Sequence, residues 1–288
     1  DEVTVTINGN TATEVYNGKE QSVTGYTTDV GTKTIDVALK DGVKAEAKGT
    51  DVDTYYMGLT KDSFSVTSRN YSNIKVVVKD GWLKIDPIAD KVTVTVTENS
   101  AAVTYDGTEH SVTGYKSMTA DNTLYDVEKN VAEKPTKAWT AKGTDAGEYP
   151  VGIVSGDFEN TSVNFTNVEF VIVDGTLKID PVSDKVTVTI TENADTVIYD
   201  TKEHSVTGYK SMTADNALYD VKKNVAETST EAWTAKGTDV GTYHVGIKAA
   251  DFKNTSGNFT NVEFVIVDGD LVITPASVAV VKIEGHTK

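Results

Sequence analysis

Short stretches of alternating apolar and polar residues run along the whole chain. In Val92–Val96 valines alternate with threonines, and Leu177 and Ile179 alternate with polar neighbours. A period of two residues separates the two faces of a β-strand, and β-branched residues favour that conformation. The pattern predicts strands that turn valine, leucine and isoleucine toward a core and threonine and charged residues toward water.

Turn-forming dipeptides separate the predicted strands. Asn-Gly or Asp-Gly pairs stand at residues 17–18, 80–81, 106–107, 174–175 and 268–269, and such pairs are strong hairpin signals. Only Leu124–Ala132 has a pattern that also fits one or two helical turns. The chain is therefore predicted to be all-β.

The sequence is a tandem array. Val92–Pro181 recurs as Val186–Pro275 at an offset of 94 residues, with about 67 of 90 aligned positions identical, and Val3–Pro87 is a divergent copy. That first copy lacks five residues near Ser117–Asp121, which predicts a surface loop there. The predicted domains are repeat 1 (residues 1–88), repeat 2 (89–182), repeat 3 (183–276) and the first strand of a truncated further repeat (277–288).

The repeat boundaries and one recurring motif bear on the architecture. Each repeat ends in a proline, and two or three residues lead into the next strand, so linkers this short predict an elongated rod of small domains. The motif Asp145-Ala146-Gly147-Glu148-Tyr149 resembles the tyrosine corner of immunoglobulin-like sandwiches. An immunoglobulin-like sandwich is favoured for each repeat, and a β-grasp, a sheet wrapped around one helix, is the alternative.

Composition and charge exclude several classes of function. The chain of 288 residues carries 27 Lys and Arg against 43 Asp and Glu, a net charge of −16, so nucleic acid is not an expected partner. It contains no cysteine, which excludes disulfides and thiolate metal sites. No stretch is long and apolar enough to predict a membrane span, and the chain is expected to be a monomer.

The repeats resemble a known family. The segments VTYDGTEHSVTGY, GTDAGEYPVGI and DFENTSVNFTNVEFVIVDGTLKIDP are similar to the MBG-type repeats of Gram-positive cell-surface adhesins, which are related in use to mucin-binding-protein repeats. The resemblance covers all three copies. It implies an extracellular location at the bacterial surface or in secreted form, and a stalk or adhesive module without enzyme activity. It supplies no site residues.

Candidate sites are few. Trp82, Trp139 and Trp233 are the candidate ligand-binding residues because tryptophan stacks on sugar rings, although Trp139 and Trp233 also suit a core. No cofactor is expected; calcium, held by Asp90 or Asp184 at the linkers, is the one ion left open. A Lys–Asn crosslink like those of other Gram-positive adhesins would need lysines 91 or 185 beside asparagines 164 or 258.

Nothing in the chain predicts catalysis. His110 and Ser111 are adjacent on a predicted strand, so their side chains point to opposite faces. The expected function is a non-enzymatic stalk that projects a binding region from the cell wall. One alternative is that the repeats themselves bind host mucin, glycan or matrix protein weakly, with avidity. The other is an accessory array of a secreted multidomain enzyme.

Overall fold

A computed structural model describes residues 1–229 and 232–277, and within them the all-β prediction is confirmed. The first repeat has ten strands and a short 3-10 helix at Lys61–Ser63. The strands are β1 (Val3–Gly9), β2 (Thr11–Val15), β3 (Gln21–Thr24), β4 (Tyr26–Asp29), β5 (Asp36–Leu39), β6 (Glu46–Gly49), β7 (Asp53–Tyr56), β8 (Phe64–Thr67), β9 (Ile74–Lys79) and β10 (Trp82–Asp86).

Repeats 2 and 3 have the same order of strands and one added helical turn each. The elements of repeat 2 are β11 (Val92–Glu98), β12 (Ala101–Thr104), β13 (His110–Thr113), β14 (Tyr115–Ala120), α1 (Val127–Asn130), β15 (Val131–Glu133), β16 (Thr140–Gly143), β17 (Gly147–Pro150), a 3-10 turn at Ser155–Asp157, β18 (Phe158–Asn160), β19 (Val168–Val173) and β20 (Thr176–Asp180).

Those of repeat 3 are β21 (Val186–Glu192), β22 (Asp195–Ile198), β23 (His204–Thr207), β24 (Tyr209–Ala214), α2 (Val221–Asn224), β25 (Val225–Glu227), β26 (Thr234–Gly237), β27 (Gly241–His244), a 3-10 turn at Ala249–Asp251, β28 (Phe252–Asn254), β29 (Val262–Val267) and β30 (Asp270–Thr274).

Each repeat contains two small sandwiches. In repeat 1 the first sandwich consists of the three-stranded sheet β4-β1-β9 and the two-stranded sheet β5-β8. The second consists of the three-stranded sheet β2-β10-β7 and the two-stranded sheet β3-β6. Val5, Ile7 and Phe64 belong to the core of the first, whereas Leu83 and Ala47 belong to the core of the second. Each core draws on both of its sheets, so each lies between two layers.

The first and last long strands of a repeat run side by side through both sandwiches. β1 pairs with β9 and β2 pairs with β10, in each case parallel. Where the two strand pairs meet, a Cβ on Gly9 would lie 2.2 Å from the backbone nitrogen of Gly81. Only glycine permits this close approach of two backbones, and the sheets separate into two sandwiches at that point.

The helical turns rule out the sheet-on-helix arrangement of a β-grasp. Helices α1 and α2 are four residues long and bury no residue, so neither fills a core. The helical turn in α1 confirms the short helical reading of Leu124–Ala132. The loop predicted at Ser117–Asp121 is wrong for residues 117–120, because they form the edge strand β14, which pairs with β11.

The described part of the chain forms two compact units. One comprises Asp1–Asn99, Thr113–Trp139 and Val151–Gly175, and the other comprises Ser100–Val112, Thr140–Pro150 and Thr176–Lys288. The division falls inside repeat 2, between the residues of its two sandwiches. The boundaries at 88, 182 and 276 stay predictions, and the further strand predicted at 277–288 lies almost entirely outside the described residues.

Candidate functional site

Repeats 2 and 3 each contain a buried glutamate at the point where the sheets separate into two sandwiches. Glu98 is 2% exposed, and its carboxylate accepts hydrogen bonds from the backbone N–H groups of Ile153 at 2.5 Å and Gly175 at 2.6 Å. Glu192 does the same for Ile247 and Gly269. Two backbone donors satisfy each carboxylate, so these acids are structural rather than catalytic.

In repeat 1 a different acid accepts the hydrogen bonds of the corresponding backbone segment. Gly9 occupies the position of Glu98, and the carboxylate of Asp80 accepts from the N–H groups of Gly58 at 2.9 Å and Leu59 at 2.8 Å. Leu59 aligns with Ile153 at the repeat offset of 94 residues. The backbone donor is therefore the constant feature. The acid that satisfies it lies on the first strand of repeat 2, β11, but in the turn between β9 and β10 of repeat 1.

The structure places Trp139 and Trp233 at cores rather than on an open surface. The Trp139 indole N–H donates to Asp157 Oδ2 at 2.9 Å, and its ring lies 5.4 Å from the ring of Phe158. Trp233 makes the equivalent bond to Asp251 at 3.0 Å.

Asp157 is fully buried. Burial pushes its pKa up, but hydrogen bonds from the Val154 N–H, the Trp139 indole and Thr136 outweigh it and leave the pKa below its usual value. Both tryptophans therefore anchor a carboxylate, which is buried at Asp157 and half-buried at Asp251.

Trp82 lies on the outer face of its sheet. It is half-buried at the start of β10, and the strand register places it opposite Tyr56, which is 65% exposed. Directly paired residues of antiparallel strands share a face, so two aromatic side chains stand together on the surface of repeat 1. Their counterparts are Pro150 with Thr176 and His244 with Asp270, which confines the aromatic pair to repeat 1.

An open groove recurs in repeats 2 and 3. In repeat 2 it has a volume of about 370 Å³ and is lined by Tyr115, Lys116, Met118 and Val131 among others, and the equivalent groove of repeat 3 has about 390 Å³. At its rim the Tyr115 hydroxyl donates to Glu133 at 2.6 Å. This bond, with burial, raises the pKa of Tyr115 to about 12.

The tyrosine corner predicted from the Asp-x-Gly-x-Tyr motif is present in all three repeats. The hydroxyls of Tyr55, Tyr149 and Tyr243 donate to the backbone oxygens of the aspartates four residues earlier, at 3.0, 2.9 and 3.1 Å. The ring of Tyr149 lies over Gly143, where a Cβ would come within 2.3 Å of it. The corner therefore fixes strands β16 and β17 to each other.

The corner aspartates of repeats 1 and 2 also contact the next repeat. At junction A, between repeats 1 and 2, the Asn164 amide donates to Asp51 Oδ1 at 2.9 Å and accepts from the Val52 N–H at 2.8 Å. At junction B, between repeats 2 and 3, Asn258 makes the same two bonds, to Asp145 at 2.8 Å and from Ala146 at 2.6 Å. Junction A lies wholly within the first compact unit and junction B within the second.

The linker and an aromatic pair complete each junction. At junction A the Ile88 N–H donates to the backbone oxygen of Asn164 at 2.9 Å, and the Thr166 N–H donates to the backbone oxygen of Ile88 at 3.1 Å. The rings of Tyr16 and Phe165 meet edge to face at 5.7 Å. Val182, Tyr105 and Phe259 repeat this arrangement at junction B.

Histidine-containing turns offer no relay for a nucleophile. In repeat 2 the Thr108 hydroxyl donates to Asp106 Oδ1 at 2.7 Å, and His110 Nε2 shares that oxygen at 2.9 Å. Hydrogen bonds from Thr108, then His110, lower the pKa of Asp106 to about 2. The hydroxyl donates to the acid and lies farther, at 3.4 Å, from His110 Nε2. Repeat 3 has Lys202 in place of Thr108, so the two repeats do not share a hydroxyl at this position.

The remaining candidates have other contacts. Lys91 forms an exposed ion pair with Glu169, and Lys185 one with Glu263, so neither is the buried lysine that a crosslink to an asparagine requires. Within residues 1–229 and 232–277 no group of three or more His, Asp or Glu is placed to hold a metal ion. No helix in the same part of the chain is long and apolar enough to cross a membrane.

Sequence reasoning missed the buried glutamates and the junction asparagines. One signal was available for the latter, because Asn70, Asn164 and Asn258 recur at the repeat offset, as do Asp51, Asp145 and Asp239. Their bonds join residues more than 100 positions apart, and no local pattern reveals such a pairing. Glu98 also gave a signal, because it continues the inward-facing series of Val92, Val94 and Val96 at a period of two. A charged residue at an inward position indicates a buried carboxylate that needs hydrogen-bond donors.

Comparison with known proteins gives little. No family model matches the chain, and no curated protein does. Among solved structures, a Bacteroides ovatus mixed-linkage glucan utilization protein, SGBP-B, in complex with a heptasaccharide matches at 10% identity and a TM-score of 0.14, covering 92% of this chain and 66% of that one. Titin domains I67–I69 match at 12% identity and 0.17, covering 93% and 96% of the two chains. These scores carry no argument about fold or function.

Proposed function

We propose that this chain is a non-enzymatic region of an extracellular bacterial surface protein, in which tandem β-domains hold a binding region away from its point of attachment. The observation that carries the proposal is the double hydrogen bond of Asn164 to Asp51 and Val52, which recurs at Asn258. A spacer must resist bending between its domains. The hydrogen bonds of Asn164 join repeat 2 directly to repeat 1 and so oppose bending at their junction.

Two further kinds of contact support limited bending at junction A. The linker residue Ile88 is hydrogen-bonded on both sides to the loop that contains Asn164. The Tyr16 ring and Ile88 pack against the core of the next repeat, beside Val92 and Phe165. A linker held in this way cannot sample the conformations of a flexible tether, so neighbouring repeats keep one orientation.

The resemblance to MBG-type repeats supports the location and the class of protein. It implies an array at the surface of a Gram-positive cell, and an acidic chain without cysteine is in keeping with it. Mucin, glycan or matrix protein would then be bound by another region of the same protein. The family assignment is itself part of the proposal.

Spin labels across junction A test the stiffness. The chain has no cysteine, so Thr13→Cys and Thr119→Cys, both exposed strand positions of the first compact unit, give one unique pair. We expect a narrow distance distribution, which Asn164→Ala broadens. Asn10→Ala is the matched control, because its amide bonds only Thr24 within repeat 1. A distribution as broad in the parent as in Asn164→Ala would overturn the spacer.

A second candidate function is weak glycan binding by the repeats themselves. The outward aromatic pair of Trp82 and Tyr56 and the recurring grooves of repeats 2 and 3 favour it, since sugar rings stack on aromatic faces. Binding of the full chain to mucin and a glycan array would be compared with Trp82→Ala and with Lys116→Ala/Lys210→Ala. Saturable binding that one variant abolishes supports this function. Absence of binding by the folded chain rejects it.

A further inference from the structure

Two Asn-Gly dipeptides occur in this chain, and their surroundings differ. Asn8 and Gly9 belong to strand β1, which pairs with β4 on one side and with β9 on the other. Asn17 and Gly18 lie in the exposed turn between β2 and β3. A backbone nitrogen can attack the amide carbon of a preceding asparagine side chain, and glycine obstructs this attack least because it has no Cβ.

Three features of the Asn17-Gly18 turn favour such an attack. In the described part of the chain the Gly18 N–H donates to no other group, so the attacking nitrogen is free. The Lys19 N–H donates to Asn17 Oδ1 at 2.9 Å, and this oxygen gains negative charge when the amide carbon is attacked. A donor already aimed at that oxygen stabilises the tetrahedral intermediate. The turn is exposed, so hydroxide and water reach it.

We propose that Asn17 is a site of spontaneous deamidation through a cyclic imide. The Gly18 nitrogen bonds to Cγ of Asn17, the bond from Cγ to the side-chain nitrogen breaks, and that nitrogen leaves as ammonia with the proton of the Gly18 N–H. Water then opens the five-membered imide at either of its carbonyl groups. One opening gives aspartate. The other gives isoaspartate, in which the backbone runs through the side-chain carbons.

Strand pairing protects the second dipeptide from the same reaction. Ring closure at Asn8 requires the backbone to rotate out of its extended conformation, and this breaks hydrogen bonds to the neighbouring strands. The net loss of two such bonds slows the reaction by about thirtyfold. Residues 17 and 18 lie beyond the ladder of β2, which ends at Val15, and before that of β3, which begins at Gln21. Rotation in this turn therefore breaks no ladder bond.

The modified turn lies at junction A. A Cβ on Gly18 would come within 3.0 Å of Leu124 Cδ2 in repeat 2, so the turn contacts the loop that precedes α1. Aspartate fits here, because Asp106 stands at the aligned position of repeat 2 and accepts from the Thr108 N–H in the same way. Isoaspartate adds one methylene to the backbone and displaces Gly18 from Leu124. This effect on the junction rests on the proposed function, whereas the reaction itself does not.

Peptide mapping of the full chain by mass spectrometry tests the reaction. After incubation at neutral and mildly alkaline pH, proteolytic cleavage at Glu14 separates the two dipeptides. We expect the peptide with Asn17 to gain the mass difference between NH2 and OH at least about tenfold faster than the peptide with Asn8. The rate should rise with hydroxide concentration, and fragmentation should identify isoaspartate among the products.

Two controls separate the turn geometry from the dipeptide itself. Asn17→Gln should stop the reaction at this position, because its imide would be a six-membered ring that closes much more slowly. In urea the two asparagines should react at similar rates, because the strand that protects Asn8 is lost. Equal rates at Asn8 and Asn17 in the folded chain, or no gain of mass at Asn17, would overturn the proposal.

The labelled pair across junction A measures the consequence. We expect the distance distribution to broaden in the isoaspartyl fraction of aged protein and to stay narrow in Asn17→Asp, which has the charge of the product without the longer backbone. An isoaspartyl chain with the distribution of fresh protein would overturn the effect on the junction. A distribution that is already broad in fresh protein would overturn the spacer and this effect with it, but not the reaction.

Discussion

At the scale of single residues, acidic side chains accept hydrogen bonds from backbone N–H groups at the point where each repeat separates into two sandwiches. Glu98 and Glu192 supply the acceptor in repeats 2 and 3, and Asp80 supplies it in repeat 1. The aligned aspartate of repeat 2, Asp174, is exposed. The same residue type is therefore structural in one copy and solvated in another.

Glu98→Ala should lower the free energy of unfolding by roughly 2–5 kcal/mol, because it leaves the buried N–H groups of Ile153 and Gly175 without an acceptor. Asp80→Ala should be costly in repeat 1, and Asp174→Ala should be nearly neutral. Urea unfolding of the three variants measures this. Equal effects of Asp80→Ala and Asp174→Ala would show that Asp80 has no structural role that Asp174 lacks.

Tyr115 and Tyr209 should ionise late. Hydrogen bonds to Glu133 and Glu227 raise the pKa of each to about 12. The folded pKa lies above the ordinary value of 10, so the stabilisation is complete below pH 10 and is lost between pH 10 and 12. Absorbance titration at alkaline pH should show a late fraction that Glu133→Gln/Glu227→Gln moves to lower pH. A single transition near 10 in the parent would contradict the bond.

At the scale of elements, the tyrosine corner holds pairs of strands together through a ring packed on glycine. Gly49, Gly143 and Gly237 each lie under the ring of their corner tyrosine, where a Cβ would come within 2.0, 2.3 and 2.2 Å. The hydroxyl then reaches the backbone oxygen of the corner aspartate. The motif thus fixes a turn whose aspartate side chain, in repeats 1 and 2, is free to bond the following repeat.

Gly143→Ala should destabilise repeat 2 by about 1–3 kcal/mol, as overpacking of a close contact does, because the added methyl overlaps the Tyr149 ring. The penalty should shrink in a Tyr149→Ala background, and a double-mutant cycle measures that coupling. Gly147→Ala is the control, since its Cβ would lie 3.6 Å from the same ring. Equal penalties for the two glycines would refute the packing role.

At the scale of the whole molecule, the repeats are coupled through their junctions. Tyr16 packs against the core of its own second sandwich and also against the first core of repeat 2. In arrays of this kind stability is a sum of unit and neighbour terms. A substitution at a junction should therefore be felt in two repeats.

Tyr16→Ala should lower amide hydrogen-exchange protection in repeat 1 and in β11 and β19 of repeat 2, with a loss of about 2–4 kcal/mol typical of a large aromatic truncation. Tyr199→Ala, at the equivalent position of repeat 3, should lower protection in repeat 3 but not in repeat 1 or in β11 and β19. Exchange monitored by mass spectrometry separates the two. If the effect of Tyr16→Ala stays within repeat 1, the repeats are independent.

The sequence by itself determined the all-β class, the tandem array and the tyrosine corners. Each of these follows from alternation, turn chemistry or self-similarity, which are local or periodic properties of a chain. Turn residues such as Asp106-Gly107 act on their immediate neighbours, so they can be read without a fold.

Only the tertiary structure decided the division of each repeat into two sandwiches, the hydrogen-bond partners of Glu98 and the bonding of Asn164 to Asp51. These depend on groups 55 to 113 residues apart in the chain. It also showed that Ser117–Ala120 belong to an edge strand and not to the expected loop. The five residues missing from repeat 1 therefore do not mark a loop, because such a gap can shorten a strand as well. Contacts at such separations are set by how sheets pack, and hydrophobic pattern alone leaves that packing open.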